Sequence, residues 1–255
     1  MSLVEVTREG AVTVVELKRP PVNALSADLS ADLMGAFREC QSPDVRAVVV
    51  TGEPHFAAGA DITGFQAAFE SGADDTLANA LTEAIWALER LEKPTIAAVR
   101  GFALGGGLEL AMGADFRYLA TDAKVGQPEI MLGLIPGAGG TQRLPRLVGY
   151  QVAKELVFSG RHVEADEARD IGLADKVVDP EGLLTTALAD ATEWAKGPTR
   201  ALAAAKRALN DGWGQPMSRA IEVEAAEFAD AFATADAREG VAAFMEKRRP
   251  EFSGN

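Results

Sequence analysis

The sequence predicts an α/β fold in which largely parallel strands are layered with helices, followed by a C-terminal region made only of helices. Before Glu181, short apolar runs rich in β-branched residues alternate with amphipathic helical patterns, which is the pattern of layered α/β folds. After it, the segments are helical throughout and are separated by glycine and proline. We therefore divide the chain into a core over residues 1–195 and a helical region over residues 196–255.

The N-terminal elements have clear sequence signals. Residues 3–8 and 12–17 are β-rich runs joined by a short turn containing a glycine, which predicts a hairpin. Ser26 is a suitable N-cap for a helix that reaches about Cys40. Residues 47–51, with the sequence AVVVT, form a continuous apolar run that is typical of a buried strand.

The middle of the chain continues the alternation of strands and helices. Residues 52–65 read as an irregular loop, residues 76–91 as a long amphipathic helix and residues 95–99 as a second buried strand. The remaining predicted elements are helices at 141–148, 150–158 and 164–170, a strand at 174–178, and helices near 181–196, 199–210, 217–232 and 236–247. Pro198, Gly212, Gly214 and Pro216 separate several of the C-terminal helices.

Composition excludes several classes of function. The net charge of −13 disfavours binding to nucleic acid or to an anionic membrane. Cys40 is the only cysteine and there are two histidines, too few for a Cys/His zinc site. No segment has the pattern of a signal peptide or of a membrane span of about 20 apolar residues. These observations lead us to expect a cytoplasmic protein.

The stretch from Arg100 to Leu144 contains the first candidate site. Three glycines, Gly105 to Gly107, open a short apolar helix that carries Glu109. Free N–H groups at such a helix start can receive negative charge, and the glycine spacing matches no nucleotide-binding motif, so an oxyanion-type role is favoured. The alternatives are a tightly packed turn for the glycines and a solvated helix edge for Glu109.

A second carboxylate follows 20 residues later. Glu129 comes directly after Pro128 and before an apolar run, and a second glycine cluster occupies 137–140. Two glutamates in separately tuned surroundings are a common arrangement for acid–base chemistry near neutral pH. The alternatives are an ordinary surface-loop glutamate and a glycosidase-like pair, although the aromatic content of 6% is low for a sugar cleft.

The chain contains three long motifs: HFAAGADI at 55–62, IAAVRGFALGGGLELAMGADFRYL at 96–119 and GQPEIMLGLIPGAGGTQRLPRLVG at 126–149. Together they resemble the enoyl-CoA hydratase/isomerase (crotonase) family. The resemblance extends through nearly the whole chain. It implies a spiral core of ββα units with a C-terminal helical trimerisation region. It also implies a homotrimer or a homohexamer built as a dimer of trimers.

The resemblance implies an enoyl-CoA hydratase of fatty-acid β-oxidation, with specific roles for five residues. The backbone N–H groups of Ala60 and Gly106 would form an oxyanion hole for the thioester oxygen of an acyl-CoA substrate. Glu109 and Glu129 would be the catalytic acids that activate water and protonate C2, and the Gly137 N–H would help to hold the water. No cofactor is implied, because coenzyme A is part of the substrate.

Further positions are expected to contact the CoA ester, some of them from a neighbouring subunit. They are Ala58, Asp61, Ile62, Phe228, Phe244 and Lys247. Two positions depart from the family pattern: Thr63 stands where many relatives have lysine, and Leu108 where cysteine is frequent. The alternatives are an isomerase or other acyl-CoA enzyme of the same fold, and a non-catalytic acyl-CoA-binding protein.

Overall fold

The computed structural model describes residues 2–61 and 76–255 of the chain. The strands in these ranges are β1 Val4–Glu9, β2 Val12–Leu17, β3 Ala47–Gly52, β4 Ala57–Ala58, β5 Thr95–Val99, β6 Phe102–Leu104, β7 Phe116–Ala120, β8 Lys124–Gly126, β9 Val163–Glu164 and β10 Lys176–Val178. They form two sheets of unequal size.

The larger sheet has six strands in the order β1-β2-β3-β5-β7-β10. Its first pair is the antiparallel hairpin that the sequence predicts, with Val4 opposite Leu17. The remaining neighbours run parallel, from β2 beside β3 to β7 beside β10. The prediction of largely parallel strands is confirmed, and the predicted strand at 174–178 begins two residues later, at Lys176.

A smaller sheet of four strands, in the order β4-β6-β8-β9, has no counterpart in the sequence prediction. Its strands have only two or three residues each, too short for a periodic pattern to show. The parallel pairs β4–β6 and β6–β8 hold residues 57–58 beside 103–104, and 102–104 beside 124–126. This small sheet therefore joins parts of the chain that carry the candidate site.

The α-helices of the described ranges are α1 Ala27–Glu39, α2 Thr76–Glu89, α3 Gly106–Met112, α4 Gly140–Val148, α5 Tyr150–Ser159, α6 Ala165–Asp170, α7 Leu183–Ala195, α8 Thr199–Gly212, α9 Met217–Phe232 and α10 Ala235–Glu246. Short 3-10 helices cover Pro128–Leu132 and Pro180–Gly182. Ser26 caps α1 as predicted, since its hydroxyl oxygen accepts the N–H of Leu29 at 3.2 Å.

Apolar cores lie on both faces of the larger sheet, because alternate residues of a strand point to opposite faces. On β3, Val48 and Val50 join the core that contains α1, α2 and α3, whereas Ala47 and Val49 pack toward α7. Both faces are buried, which explains why β3 reads as a continuous apolar run. The candidate glutamates lie on the face of the larger sheet that packs toward α3, and α7 covers the opposite face of that sheet.

Polar contacts connect the C-terminal helices to the core. Lys206 on α8 donates to Asp115 at 2.9 Å, and Arg46, just before β3, donates to the Thr199 hydroxyl at 2.9 Å. Within the described residues, none of these helices has the length and apolar character required to cross a membrane.

Candidate active site

Helix α3 is positioned by close backbone packing. All seven of its residues are buried, and the N–H of Gly105 just before it donates to the Gly126 carbonyl at 2.9 Å. Gly107 lies against β4 so closely that a Cβ there would be 2.0 Å from the Ala57 carbonyl oxygen. Only glycine fits at that position, and the contact fixes α3 against the small sheet.

Glu109 lies inside the protein, so the alternative of a solvated helix edge is wrong. Its side chain is 2% exposed, and its Oε1 accepts the N–H groups of Ala138 at 2.8 Å and Gly140 at 2.7 Å. Burial raises the pKa of Glu109, while these two N–H donors and the positive charge of Arg143 oppose the rise. The carboxylate is thus buried with two fixed donors on one oxygen.

Glu129 lies in the first turn of the 3-10 helix Pro128–Leu132. Its Oε1 is directed at the turn before α3, 3.1 Å from the place where a Cβ on Gly105 would lie. Burial, with a smaller contribution from the charge of Glu109, raises the pKa of Glu129 to about 7. Glu129 can therefore carry a proton at neutral pH.

Gln127 is a site residue that the sequence analysis did not identify. It is fully buried, and with its amide nitrogen turned toward Glu129 it donates to Oε1 at 2.7 Å and to Oε2 at 3.0 Å. These bonds hold the Glu129 carboxyl in a fixed orientation. A polar side chain directly before Pro128-Glu129 was the available signal, but glutamine is common in loops and the signal is weak.

The two carboxyl groups face one small space. A Cβ on Gly140 would lie 3.0 Å from Glu109 Oε1 and 2.7 Å from the end of the Gln127 side chain, whose amide in turn contacts Glu129. The structure therefore brings together two acids that are 20 residues apart in sequence. Their surroundings differ, because backbone N–H groups of the glycine-rich turn hold only Glu109.

Two unused backbone donors lie beside these acids. A Cβ on Gly106 would be 3.9 Å from the Ala60 nitrogen. Gly106 is the first residue of α3, where an N–H has no acceptor within its own helix. Ala60 lies opposite Leu25 in a β-bridge, but the hydrogen bonds of that bridge are made by the Gly59 carbonyl and the Asp61 N–H. Among the described residues, neither the Ala60 nor the Gly106 N–H donates a hydrogen bond.

Gly137, predicted to position water, is exposed and directly precedes the donor Ala138. Ala58 and Asp61, predicted to contact the CoA ester, are half-buried. The Ala58 N–H donates to the Val22 carbonyl at 2.9 Å, and the Asp61 carboxylate pairs with Arg19. Ile62 and Thr63 lie outside the described residues.

Phe228, Phe244 and Lys247 belong to the C-terminal helices. Phe228 and Phe244 are 67% and 83% exposed, and Lys247 ends α10 with a φ of +56°. Their helices, α9 and α10, pack chiefly against α8 and each other. Unlike Gln127, which contacts Glu129, these three residues have no described contact with either glutamate of the same chain.

No group of three or more His, Cys, Asp or Glu side chains in the described ranges is arranged to hold a metal ion. The donors that the site does contain are backbone N–H groups, and its titratable groups are carboxyls. Such a set can stabilise developing negative charge on an oxygen and can move protons.

Comparison with known proteins gives a consistent result. The model of the enoyl-CoA hydratase/isomerase family matches residues 7–255. A short-chain-enoyl-CoA hydratase of Clostridium acetobutylicum is 42% identical, with 96% of this chain and 95% of the relative covered. A crotonyl-CoA hydratase of Syntrophomonas wolfei is 43% identical with the same coverage of both chains.

The fold has close counterparts among crystal structures. An enoyl-CoA hydratase from Bacillus anthracis superposes with a TM-score of 0.91 at 34% identity, covering 99% of this chain and 100% of that one. Mixed α/β cores of this kind with a C-terminal helical region are what the motifs at 55–62, 96–119 and 126–149 imply. The expected fold class is confirmed.

Proposed function

The chain belongs to the enoyl-CoA hydratase/isomerase family, and we propose that it is an enoyl-CoA hydratase of fatty-acid metabolism. The reaction adds water across the C2=C3 double bond of a trans-2-enoyl-CoA and gives a 3-hydroxyacyl-CoA. The observation that carries the proposal is the pair Glu109 and Glu129, which share one space in different electrostatic surroundings. Relatives named as hydratases, at 42% and 43% identity, support the same activity.

The unused N–H groups of Ala60 and Gly106 suit the thioester. When water attacks C3, negative charge develops on the thioester oxygen as the enolate forms. Two preorganised donors that have no other acceptor can stabilise this charge. Removing one donor from such an oxyanion hole typically lowers the rate by about 10²–10³-fold. We therefore assign Ala60 and Gly106 as the oxyanion hole.

The acid–base roles follow from the two environments. Glu109, whose Oε1 receives two N–H donors, is the carboxylate that accepts a proton from water as the water oxygen bonds to C3. Glu129, with a pKa raised to about 7, delivers its proton to C2 as the enolate collapses. Proton transfer between the two acids through the product or solvent restores the starting state. The Gly137 N–H lies at the exposed edge of the same turn and helps to hold the water.

Assembly of this chain into trimers, or pairs of trimers, would complete the site. The C-terminal helices expose large apolar side chains that one chain leaves uncovered, including Phe228, Phe232, Val241, Phe244 and Met245. In an oligomer these helices would bring Phe228, Phe244 and Lys247 to a neighbouring site, with Lys247 near a CoA phosphate. Ala58, Asp61 and Ile62 would contact the CoA portion from the same chain as the glutamates.

The test is the loss of absorbance of the conjugated enoyl thioester when purified protein is added to crotonyl-CoA. We expect rapid loss that the double variant E109Q/E129Q does not produce. A longer trans-2-enoyl-CoA and a 3-enoyl-CoA form the parallel arms. Absence of hydration with both 2-enoyl substrates would refute the proposal, and conversion of the 3-enoyl substrate alone would identify an isomerase. Stoichiometric binding of the esters without turnover would identify an acyl-CoA-binding protein.

A further inference from the structure

The Arg143 side chain connects helix α2 to the glycine-rich turn beside Glu109. Arg143 lies on α4, and its side chain is 11% exposed. Its Nε and Nη2 donate to the two carboxylate oxygens of Glu89, at 3.2 Å and 2.6 Å. Its Nη1 donates to the Ala138 carbonyl at 3.0 Å. A bidentate pair of this kind fixes the guanidinium plane as well as its position.

The Ala138 carbonyl lies at the centre of that turn. It belongs to the peptide unit between the Ala138 N–H and the Gly140 N–H, which are the two donors to Glu109. Gly139, between them, has a φ of +105°, and a Cβ there would lie 2.0 Å from Arg143 Nη1. The guanidinium therefore occupies the space above Gly139 and holds the central peptide, so that both flanking N–H groups point at one carboxylate oxygen.

Resting on the proposed function, we propose that Arg143, held by Glu89, is a positioning residue that aligns the 138–140 turn onto Glu109 and keeps that carboxylate ionised. Arg143 is directed at the turn and not at the space between the glutamates. Its effect on the reaction therefore passes through the Ala138 peptide and through its charge. The two contributions are separable by experiment.

The charged groups around Glu109 come from three elements. The charge of Glu109 raises the pKa of Glu129 on the 3-10 helix, and Arg143 on α4 favours the ionised form of Glu109. Glu89 on α2 pairs with Arg143 from the far side. Burial raises the pKa of Glu109, and Arg143 is the one cation among the causes that limit the rise. Loss of the guanidinium should therefore let the pKa of Glu109 rise further.

The test compares R143M, R143K and E89Q by the pH dependence of kcat for crotonyl-CoA. Because R143M frees the turn and removes the charge, we expect kcat to fall by up to about 10²-fold, the scale of a misplaced catalytic group, while KM stays near the parent value. The acid limb of the profile should move to higher pH, so that the loss is larger near pH 6 than near pH 9. R143K should keep the limb near its parent position, because it retains the charge, and recover part of kcat.

The matched control is R146M, which removes an exposed arginine one turn further along the same helix. It should leave kcat and the profile unchanged. E89Q is the variant that stays informative if R143M does not fold, since Glu89 is 35% exposed and glutamine keeps its shape. We expect E89Q to lower kcat without moving the acid limb to higher pH, because the guanidinium remains.

The proposal is overturned if folded R143M shows the parent kcat. It is also overturned if the single variants R143K and E89Q both show the parent kcat. It is also overturned if R143M loses activity equally at all pH values with an unmoved acid limb, which is the outcome for a purely structural clamp. Failure of the proposed function would appear differently, as absence of hydration by the parent protein itself.

Discussion

Glu109 accepts the N–H of Gly140 at 2.7 Å, and this bond, with the one from Ala138, makes Glu109 unlike Glu129, the second acid of the candidate site. Hydrogen bonds to the charged form of a carboxyl favour that form. Glu129, whose pKa burial raises to about 7, receives no backbone donor from the glycine-rich turn. This difference supports the proposed roles, in which Glu109 takes a proton and Glu129 gives one.

Replacing either acid with glutamine should abolish most turnover while substrate binding survives. General acid–base groups typically contribute about 10²–10⁴-fold to a rate, so E109Q and E129Q should each lower kcat for crotonyl-CoA on that scale. Titration calorimetry with a saturated acyl-CoA should give near-parent affinity for both variants. E164Q, at an exposed glutamate paired with Lys124, is the matched control. A fully active E109Q or E129Q would remove that residue from the mechanism.

The rate of hydration should fall as the pH rises above neutral. In the proposed mechanism the proton donor is Glu129, whose pKa is raised to about 7, so kcat for hydration should fall as the pH rises through that region. The acid limb should report protonation of Glu109. Stopped-flow measurement of kcat across the pH range checks both limbs. A profile that stays flat well above neutral pH in the hydration direction would contradict the assignment of Glu129 as the acid.

Glu129 should also make stability depend on pH. The folded chain keeps the proton on this carboxyl up to about pH 7, whereas its ordinary pKa is 4.5. The folded state binds more protons in that window, and therefore its stability falls as the pH rises from about 4.5 to 7. E129Q removes this penalty, so its Tm should exceed the parent Tm near pH 8, with a smaller excess near pH 5.5. Calorimetric scans showing an equal excess at both pH values would refute this origin.

Gly107 should tolerate no side chain. In G107A the new Cβ would meet the Ala57 carbonyl oxygen at 2.0 Å, and overpacking of this kind costs about 1–3 kcal/mol or more. Urea unfolding should show that loss. G35A is the control: Gly35 lies within α1 with nothing within 4 Å of its Cβ position, so alanine should stabilise the fold by about 0.5–1 kcal/mol. Equal stabilities of the two variants would contradict the packing at Gly107.

Lys247 should contribute to affinity and not to chemistry. If its ammonium contacts a CoA phosphate in the assembled protein, K247A should raise the Kd for CoA esters and leave kcat at saturation nearly unchanged. The effect should weaken as salt is added, because exposed charges are screened. K154A, at a cation that lies 4.9 Å from the centre of the Tyr150 ring, serves as the comparison. Unchanged affinity of K247A would refute the phosphate contact.

Much of this structure was predictable because long elements carry periodic signals. The hairpin, α1 with its Ser26 cap, β3 and β5 all have lengths over which apolar spacing is legible. The small sheet was not predictable from the same signals, since pairs such as Ala57 with Ala103 involve strands of two or three residues. Such strands form because the surrounding core holds them together, a tertiary effect that propensity does not record.

The residues of the candidate site were likewise predictable only in part. Glu109 was predictable, since a lone carboxylate in an apolar helix start must find donors. Those donors, Ala138 and Gly140, lie about 30 residues away, and only the folded chain shows that they converge on one oxygen. Gln127 and Arg143 were missed because a buried amide and a partly buried ion pair have no local pattern. Their importance rests on contacts made across the fold.

The contact between Gly107 and Ala57 has a consequence for how the thioester is received. Ala57 belongs to β4, three residues before Ala60, and Gly107 directly follows Gly106, so this contact ties together the two segments that carry the proposed oxyanion donors. The spacing of those N–H groups is then set when the chain folds. The proposed oxyanion hole is therefore rigid, and little free energy of reorganisation is needed when a substrate carbonyl binds there.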